Sequence, residues 1–336
     1  MRRILKIVGG VFLVVGILGT LLLWFLARSE PPEQITYGAS FNTFYATDLG
    51  LDWKEVYDAT LDDLEVRHLR LAAHWPMVEP VDRVYNFAEL DYQIERAEAV
   101  GAEVILAVGR RLPRWPECHI PRWARTLSWE EKQAAILRYT EKVVERYKDS
   151  SAITYWQLEN EPYLEVFAYE HCGDFDKAFF KSQVAHLKTL DDTRPILVTD
   201  SGNLGTWAGP YRHGDAFGTS VYVYFWNQEL GQFQTLLPAW FYRVKSNALS
   251  WLSTEKEVML IELSVEPWLV EPIPEVPIET QLTRMNMEKF QTILTYAEET
   301  HLEKQYLWGI EWWYWMKERG YSEFWELGKT LYPDQK

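Results

Sequence analysis

From residue 35 onward, short apolar runs of strand length alternate with segments whose apolar residues recur at helical spacing, and this alternation limits the fold more than any other feature. Such a pattern argues for parallel strands joined by crossover helices. The strand-like runs fall near 36–44, 66–72, 103–108, 156–162, 195–199, 218–224, 258–263 and 305–310. Between them lie helical faces such as Trp53, Val56, Tyr57, Leu61 and Leu64, or Met287, Phe290, Leu294 and Ala297. Gly101 closes one of these helices as a C-cap, and Ser128-Trp129-Glu130-Glu131 opens another with a capping-box pattern. The 103–108 run is almost wholly apolar, as expected of a strand covered on both faces. Eight strands in this order predict an α/β fold of the (β/α)8 TIM-barrel type, which typically takes about 250 residues.

Residues 1–34 stand apart from that pattern. Arg2, Arg3 and Lys6 precede an uncharged run over 7–27, long enough for a transmembrane helix of roughly 20 residues. Trp24 sits near the expected interface, and Arg28-Ser29-Glu30-Pro31-Pro32 forms a polar exit. The expected organisation is a signal anchor and short linker over 1–34, followed by one barrel domain over 35–336. A cleaved signal peptide is the alternative, although its apolar core is shorter and ends in a small-residue site. Either way, the positive residues before the run send the barrel out of the cytoplasm.

A formal charge of -15 with no basic run excludes nucleic acid as a partner, because phosphate neutralisation needs clustered Lys and Arg. The 17 Trp and 19 Tyr exceed what a core needs, and flat rings with one polar edge suit sugar faces or an interface. Cys118 and Cys172, the only two cysteines, follow the third and fourth strands. Their loops are neighbours at the barrel top, so an oxidising compartment predicts a disulfide between them, with two buried thiols as the alternative. His74 and His119 fit no zinc spacing; hydrogen bonding to substrate or backbone is expected. The loop arginines at 110, 111, 114 and 122 are read as ion-pairing partners rather than as a site for an acidic ligand.

Chemistry is expected at the carboxyl ends of the strands. Trp156-Gln157-Leu158-Glu159-Asn160-Glu161-Pro162 ends the fourth strand in a carboxylate stopped by proline, and Glu262 closes the seventh. Two carboxyl groups roughly 5 to 5.5 Å apart are what retaining cleavage of a glycosidic bond requires. Glu159 shares strand parity with Glu161, and Glu266 lies just beyond Glu262, so each is a rival within its stretch.

The motifs Pro113-Arg114-Trp115-Pro116-Glu117-Cys118-His119, Glu159-Asn160-Glu161-Pro162, Ile261-Glu262-Leu263 with Glu266-Pro267-Trp268, and Trp308-Gly309 with Glu311-Trp312-Trp313 carry a resemblance. Together they resemble the large clan of retaining glycoside hydrolases on β/α barrels, which includes β-galactosidases, cellulases and β-mannanases, in a poorly characterised bacterial branch. The likeness covers about residues 37–315. It implies that Glu161 is the acid/base, Glu262 the nucleophile, and Asn160 the residue that binds the sugar 2-hydroxyl. It further implies that Arg70 keeps the nucleophile ionised, that Tyr222 or, in the competing register, Tyr224 stands beside it, and that Trp308 floors the reacting subsite. His74, Trp75, His119, Glu266 and Trp312 join Arg70, Asn160, Tyr222 and Trp308 as expected substrate contacts, with at least one of Trp312, Trp313 and Trp315 reserved for the core. The implied activity is hydrolysis of a β-linked oligo- or polysaccharide of glucan, mannan or galactoside type, with no metal or organic cofactor required. A catalytically silent carbohydrate-binding barrel is the alternative of another class.

Overall fold

The computed structural model describes residues 2–333 except 165, 167, 168 and 174, with the side chains of 2–11, 169 and 170 outside the description. Eight parallel strands close into a barrel: β1 (Thr36–Ser40), β2 (His68–Ala72), β3 (Glu103–Val108), β4 (Ile153–Leu158), β5 (Ile196–Ser201), β6 (Ala216–Val221), β7 (Val258–Ser264) and β8 (Lys304–Trp308). Each strand pairs with its neighbours in sequence, and β1 with β8 completes the ring.

Alternation along the strands separates two apolar regions. Ile105, Leu197, Ala216, Met259, Ile261 and Tyr306 fill the barrel interior. The residues between them, such as Val104, Leu106, Leu260 and Leu307, pack outward against the helices. The interior is tight: a Cβ on Gly38 would lie 2.5 Å from the Tyr306 ring. This is a packed barrel, so its chemistry is confined to the mouth. The helix Trp129–Tyr147 carries the expected capping box, with Glu131 N donating to Ser128 Oγ at 3.2 Å and Ser128 N donating to Glu131 Oε2 at 2.8 Å. Gly101 follows the helix Ala88–Ala99 with φ +69°, the left-handed cap that glycine allows.

Several strand ends differ from the sequence expectation; β4, expected over 156–162, runs Ile153–Leu158 and gives way to left-handed backbone at Glu159 and Glu161. β1 stops at Ser40 because Asn42 caps the helix Thr43–Asp48. β6 stops at Val221, and a hairpin of two antiparallel strands, Tyr224–Asn227 and Gly231–Gln234, follows it unforeseen. β8 ends at Trp308, where Gly309 at φ +124° turns the chain into the helix Ile310–Lys317. Gly309 is required there, since a Cβ would lie 2.8 Å from the Glu266 Cβ. The aromatic run after β8 is therefore helical, and Ile310 through Met316 are all buried.

The N-terminal helix Arg2–Leu26 leaves Phe12, Leu18, Leu22, Trp24 and Phe25 exposed, while Leu26 is buried where the helix meets Trp240–Leu252. Asn247 Nδ2 donates to the carbonyls of Leu26 and Arg28 at 2.8 and 3.0 Å, satisfying groups that a helix end leaves open. Among the described residues no helix is long and apolar enough to cross a membrane. The first part of the predicted apolar run, residues 7–11, lies outside the described side chains.

Candidate active site

The β4 end is shaped by two non-glycine residues in the left-handed region, Glu159 at φ +56° and Glu161 at φ +42°. That conformation is uncommon away from glycine and marks a backbone held in place by its surroundings. It turns the two glutamates to different tasks. The Glu159 carboxylate accepts from the backbone N–H groups of Arg110 and Arg111 at 3.3 and 2.6 Å and from Gln183 Nε2 at 2.6 Å. Gly109 makes room for it, since a Cβ would stand 2.6 Å from the Glu159 Cδ. Glu159 is thus absorbed in holding the loop after β3.

Glu161 turns to the barrel mouth. Its N–H donates to Thr199 Oγ1 at 2.8 Å, and its carboxyl Oε1 accepts from Ser220 Oγ at 2.6 Å. Ser220 on β6 is the register partner of Glu262 on β7, so its hydroxyl holds the Glu161 carboxyl at the strand beside Glu262. Glu262 Oε1 accepts from Arg70 Nη1 at 2.7 Å, and its Oε2 from the Tyr222 hydroxyl at 3.1 Å. Arg70, only 1% exposed, also donates from Nε to Gln157 Oε1 and from Nη2 to Asn160 Oδ1, both at 2.7 Å. One guanidinium thereby ties β2, β4 and β7 together, and its planar fork suits three directed bonds better than an ammonium would.

The electrostatics separate the two carboxyls. Burial, then the charges of Glu262 and Glu117, push the Glu161 carboxyl well above its ordinary range, with the Ser220 hydrogen bond opposing. Burial and the Glu262 charge do the same to the Tyr222 phenol, which therefore stays a donor. A protonated carboxyl beside a carboxylate faced by an arginine is an arrangement that can deliver a proton and a nucleophile to one bond.

A second cluster lies alongside. Arg114 pairs with both oxygens of Glu266, to which the Tyr45 hydroxyl donates at 3.2 Å and the Trp308 indole at 2.7 Å. The Arg114 guanidinium stacks between Tyr45 and Trp308, with its carbon 3.2 and 4.5 Å from the ring centroids. Glu311 accepts from Asn42 N at 2.6 Å, and burial together with the Glu266 charge raises its carboxyl to about 7 against the pull of Arg114. These four donors match the lone-pair capacity of the Glu266 carboxylate. The arginine at 114 ion-pairs with it.

Several expected contacts fall elsewhere. Trp75 is fully buried, stacked on Tyr139 and edge-on to Trp123, with its N–H on Glu79, so it is core rather than a substrate contact. Trp312 is likewise buried against Phe324 with its indole on Gln281, because the chain after β8 is helical. His74 and His119 are buried together, their ring centroids 4.4 Å apart, on the carbonyls of Pro113 and Arg114 at 3.2 and 3.0 Å. They support the loop that carries Arg114 and do not reach into the cleft. Burial pushes both imidazoles down, His119 to about 4. Tyr222, just past β6, meets Glu262, whereas Tyr224 lies in the hairpin. Among the described residues no group of three or more His, Cys, Asp or Glu could hold a metal ion.

The sequence reading missed Glu117 and Ser220. Glu117 accepts from Arg111 Nε at 2.8 Å and lines the cleft beside Glu262. It sits in a loop without periodicity, and Ser220 is one of several small polar residues on its strand, so only the three-dimensional register reveals either. Cys118 and Cys172 form a disulfide with Cα atoms 5.3 Å apart, joining the loop after β3 to the short helix Tyr169–Cys172. The cleft reaching Glu262 measures about 440 Å³. A void behind Glu159 of about 30 Å³ is only of water size.

The glycoside hydrolase family 42 model, described as beta-galactosidase, matches residues 52–297. A beta-galactosidase of Arthrobacter sp is 25% identical over 318 residues, covering 82% of this chain and 42% of the relative. The chain thus spans about two fifths of the length of that relative, of which 42% is covered. Xylanase 10B of Thermotoga maritima is similar in structure with a TM-score of 0.54 at 16% identity, covering 82% of this chain and 83% of that one. A glycoside hydrolase family 5 subfamily 18 protein of Bifidobacterium longum subsp. longum gives 0.54 at 15% identity over 82% of this chain and 70% of that one. At such identities these structures speak for the fold alone. The family model spans most of the barrel, from before β2 to beyond β7, and on that match the chain belongs to glycoside hydrolase family 42, within the β/α-barrel clan of glycoside hydrolases.

Proposed function

We propose that the protein is a retaining β-glycosidase acting by double displacement. Glu161 protonates the glycosidic oxygen as Glu262 attacks the anomeric carbon, expelling the aglycone as an alcohol and forming a glycosyl ester. Glu161, now a carboxylate, then takes a proton from water, which displaces Glu262 and restores both groups. The observation that carries this reading is the bridge through Ser220, which brings Glu161 beside the β7 register position of Glu262. Carboxyls held at neighbouring strand ends are what the close pair of a retaining enzyme calls for.

The neighbours suit the same chemistry. Arg70 occupies the Asn160 Oδ1, which leaves the Asn160 amide N–H groups to donate to a sugar 2-hydroxyl. Trp308 lines the cleft as the floor of the reacting subsite. Glu117, Glu262 and Glu266 all line that cleft, which favours a neutral sugar over a uronate. The description of the matching family makes β-galactosides the first substrates to test.

Incubation with 2-deoxy-2-fluoro-β-glycosides, followed by peptide mapping, should place the label on Glu262. A protein that binds saccharides but neither turns over a panel of aryl β-glycosides nor takes up the label would be the silent binding barrel instead. We further propose that residues 1–34 anchor the barrel, residues 35–336, outside the cytoplasm. The exposed apolar side chains from Phe12 to Phe25 support that reading. Extraction by alkaline carbonate, or loss of the barrel to the cytosolic fraction, would refute it.

A further inference from the structure

The cleft that reaches Glu262 extends between the loops that follow β3 and β7, strands on opposite sides of the ring. A sugar seated on Glu161 and Glu262 takes the floor of this space and leaves its walls uncovered. Those walls carry two indoles that the mechanism does not use.

Trp115, on the β3 side, is 60% exposed, a large apolar surface for a side chain fixed at a site. It is mounted firmly. Arg114 before it has φ +87° and is clamped by Glu266; Glu117 after it has φ +61° and is paired with Arg111. Cys118 follows, tied to Cys172, and His171 packs edge-on to the Trp115 ring at 4.8 Å. Opposite stands Trp268, 36% exposed and propped by Tyr222 at 5.3 Å and Phe225 at 6.0 Å. Phe225 in turn stacks on Phe233 across the hairpin at 5.6 Å, which gives that unforeseen element a purpose. Glu117, its side chain 20% exposed, lies between the walls as a hydrogen-bond acceptor.

A pyranose has apolar C–H faces and a rim of hydroxyl donors. An exposed indole face held by its neighbours beside a carboxylate complements it, and a preformed mount avoids the cost of ordering the contact on binding. We infer that Trp115, Trp268 and Glu117 form a second sugar subsite beyond the reacting one, so that the substrate is a β-linked disaccharide or longer glycan with a neutral second ring. The subsite rests on the glycosidase reading for its purpose, although its existence is testable by binding alone.

The test compares the wild type with Trp115→Ala and Trp115→Phe, in the full chain, on two probes that share one reacting sugar. The first is a β-linked disaccharide (galactobiose, cellobiose or mannobiose) and the second the matching β-glycosyl fluoride, whose leaving group is a single atom. Truncation to alanine should lower kcat/KM for the disaccharide about tenfold more than for the fluoride, chiefly through KM. Phenylalanine should restore most of the difference, and melting temperatures should agree. Equal losses on the two probes, or none on either, overturn the subsite while leaving the glycosidase reading intact. If the wild type turns over neither probe, the glycosidase reading fails, and calorimetric titration with the same disaccharides decides the subsite. Binding that Trp115→Ala abolishes sustains it; binding that is absent, or unaffected by the substitution, overturns it.

Discussion

Two buried arginine–glutamate pairs stand side by side at this barrel mouth, and they are built for different ends. Glu262 gives one oxygen to Arg70 and the other to the Tyr222 hydroxyl, while Arg70 divides its remaining donors between Gln157 and Asn160. Glu266, only four residues on, takes both ends of the Arg114 fork as well as Tyr45 and Trp308. A carboxylate has about four lone-pair sites, so Glu266 is saturated, whereas Glu262 keeps capacity facing the cleft. Residue type and spacing make the two glutamates look alike. What separates them is the number of donors each must satisfy.

The sharpest way to break that comparison is to neutralise each member in turn. Glu262→Gln should lower kcat by at least about 10⁴-fold, as loss of a nucleophile does, and it too should cost stability, because Arg70 is left buried without its charged partner. Glu161→Gln should be nearly as damaging on poor leaving groups, and Glu159→Gln should act on stability instead. Glu266→Gln leaves the buried Arg114 without its partner and should cost about 3–5 kcal/mol of stability, with a smaller effect on turnover. Denaturant titration alongside steady-state kinetics reads both quantities. If the Glu266 variant loses turnover as completely as the Glu262 variant while staying folded, the assignment is reversed.

How much of this was legible beforehand follows the same division. The eight-strand alternation and the carboxylates at the β4 and β7 ends were readable, because strand and helix periods are written locally. Trp75 and Trp312 were misplaced because burial depends on partners distant in sequence, Tyr139 for one and Phe324 for the other. The helix after β8 was hidden by an unbroken aromatic run that reads equally well as strand or helix, and Gly309 was the local signal for the turn. Glu159 and Glu161 could not be separated by parity, because left-handed backbone at both positions overrides the strand period. Glu117 and Ser220 take their meaning from register across the mouth, which no single stretch encodes.

The two pairs also differ in what carries them, and reduction should expose that. Arg70 is fixed within β2, whereas Arg114 and Glu117 ride on the loop closed by the Cys118–Cys172 disulfide, across a sequence separation of 54. Replacing both cysteines by serine should lower stability by about 2–4 kcal/mol and raise KM, since the Arg114 loop loses its tether. The rate at which a fluorosugar labels Glu262 under saturation should change less. A labelling rate that collapses together with KM would mean that the Arg70 site depends on that loop after all.

The smallest effect is the most discriminating. Burial and the negative charges of Glu262 and Glu117 hold the Glu161 carboxyl protonated above its ordinary range, and the acid step needs that proton. Activity should therefore fall on the alkaline side as pH rises through the Glu161 pKa, with kcat/KM reporting the free enzyme. Glu117→Gln removes one raising charge and should move the alkaline limb to lower pH. Glu266→Gln should move it less, because the carboxylates whose charge raises Glu161 are Glu262 and Glu117. Once Glu262 is esterified its charge is gone, the Glu161 carboxyl falls, and the same group becomes the base that the second step requires. Equal shifts from the two substitutions would mean that Glu161 senses the overall charge of the cleft; a shift from Glu117 alone would place it in a field built by its immediate neighbours.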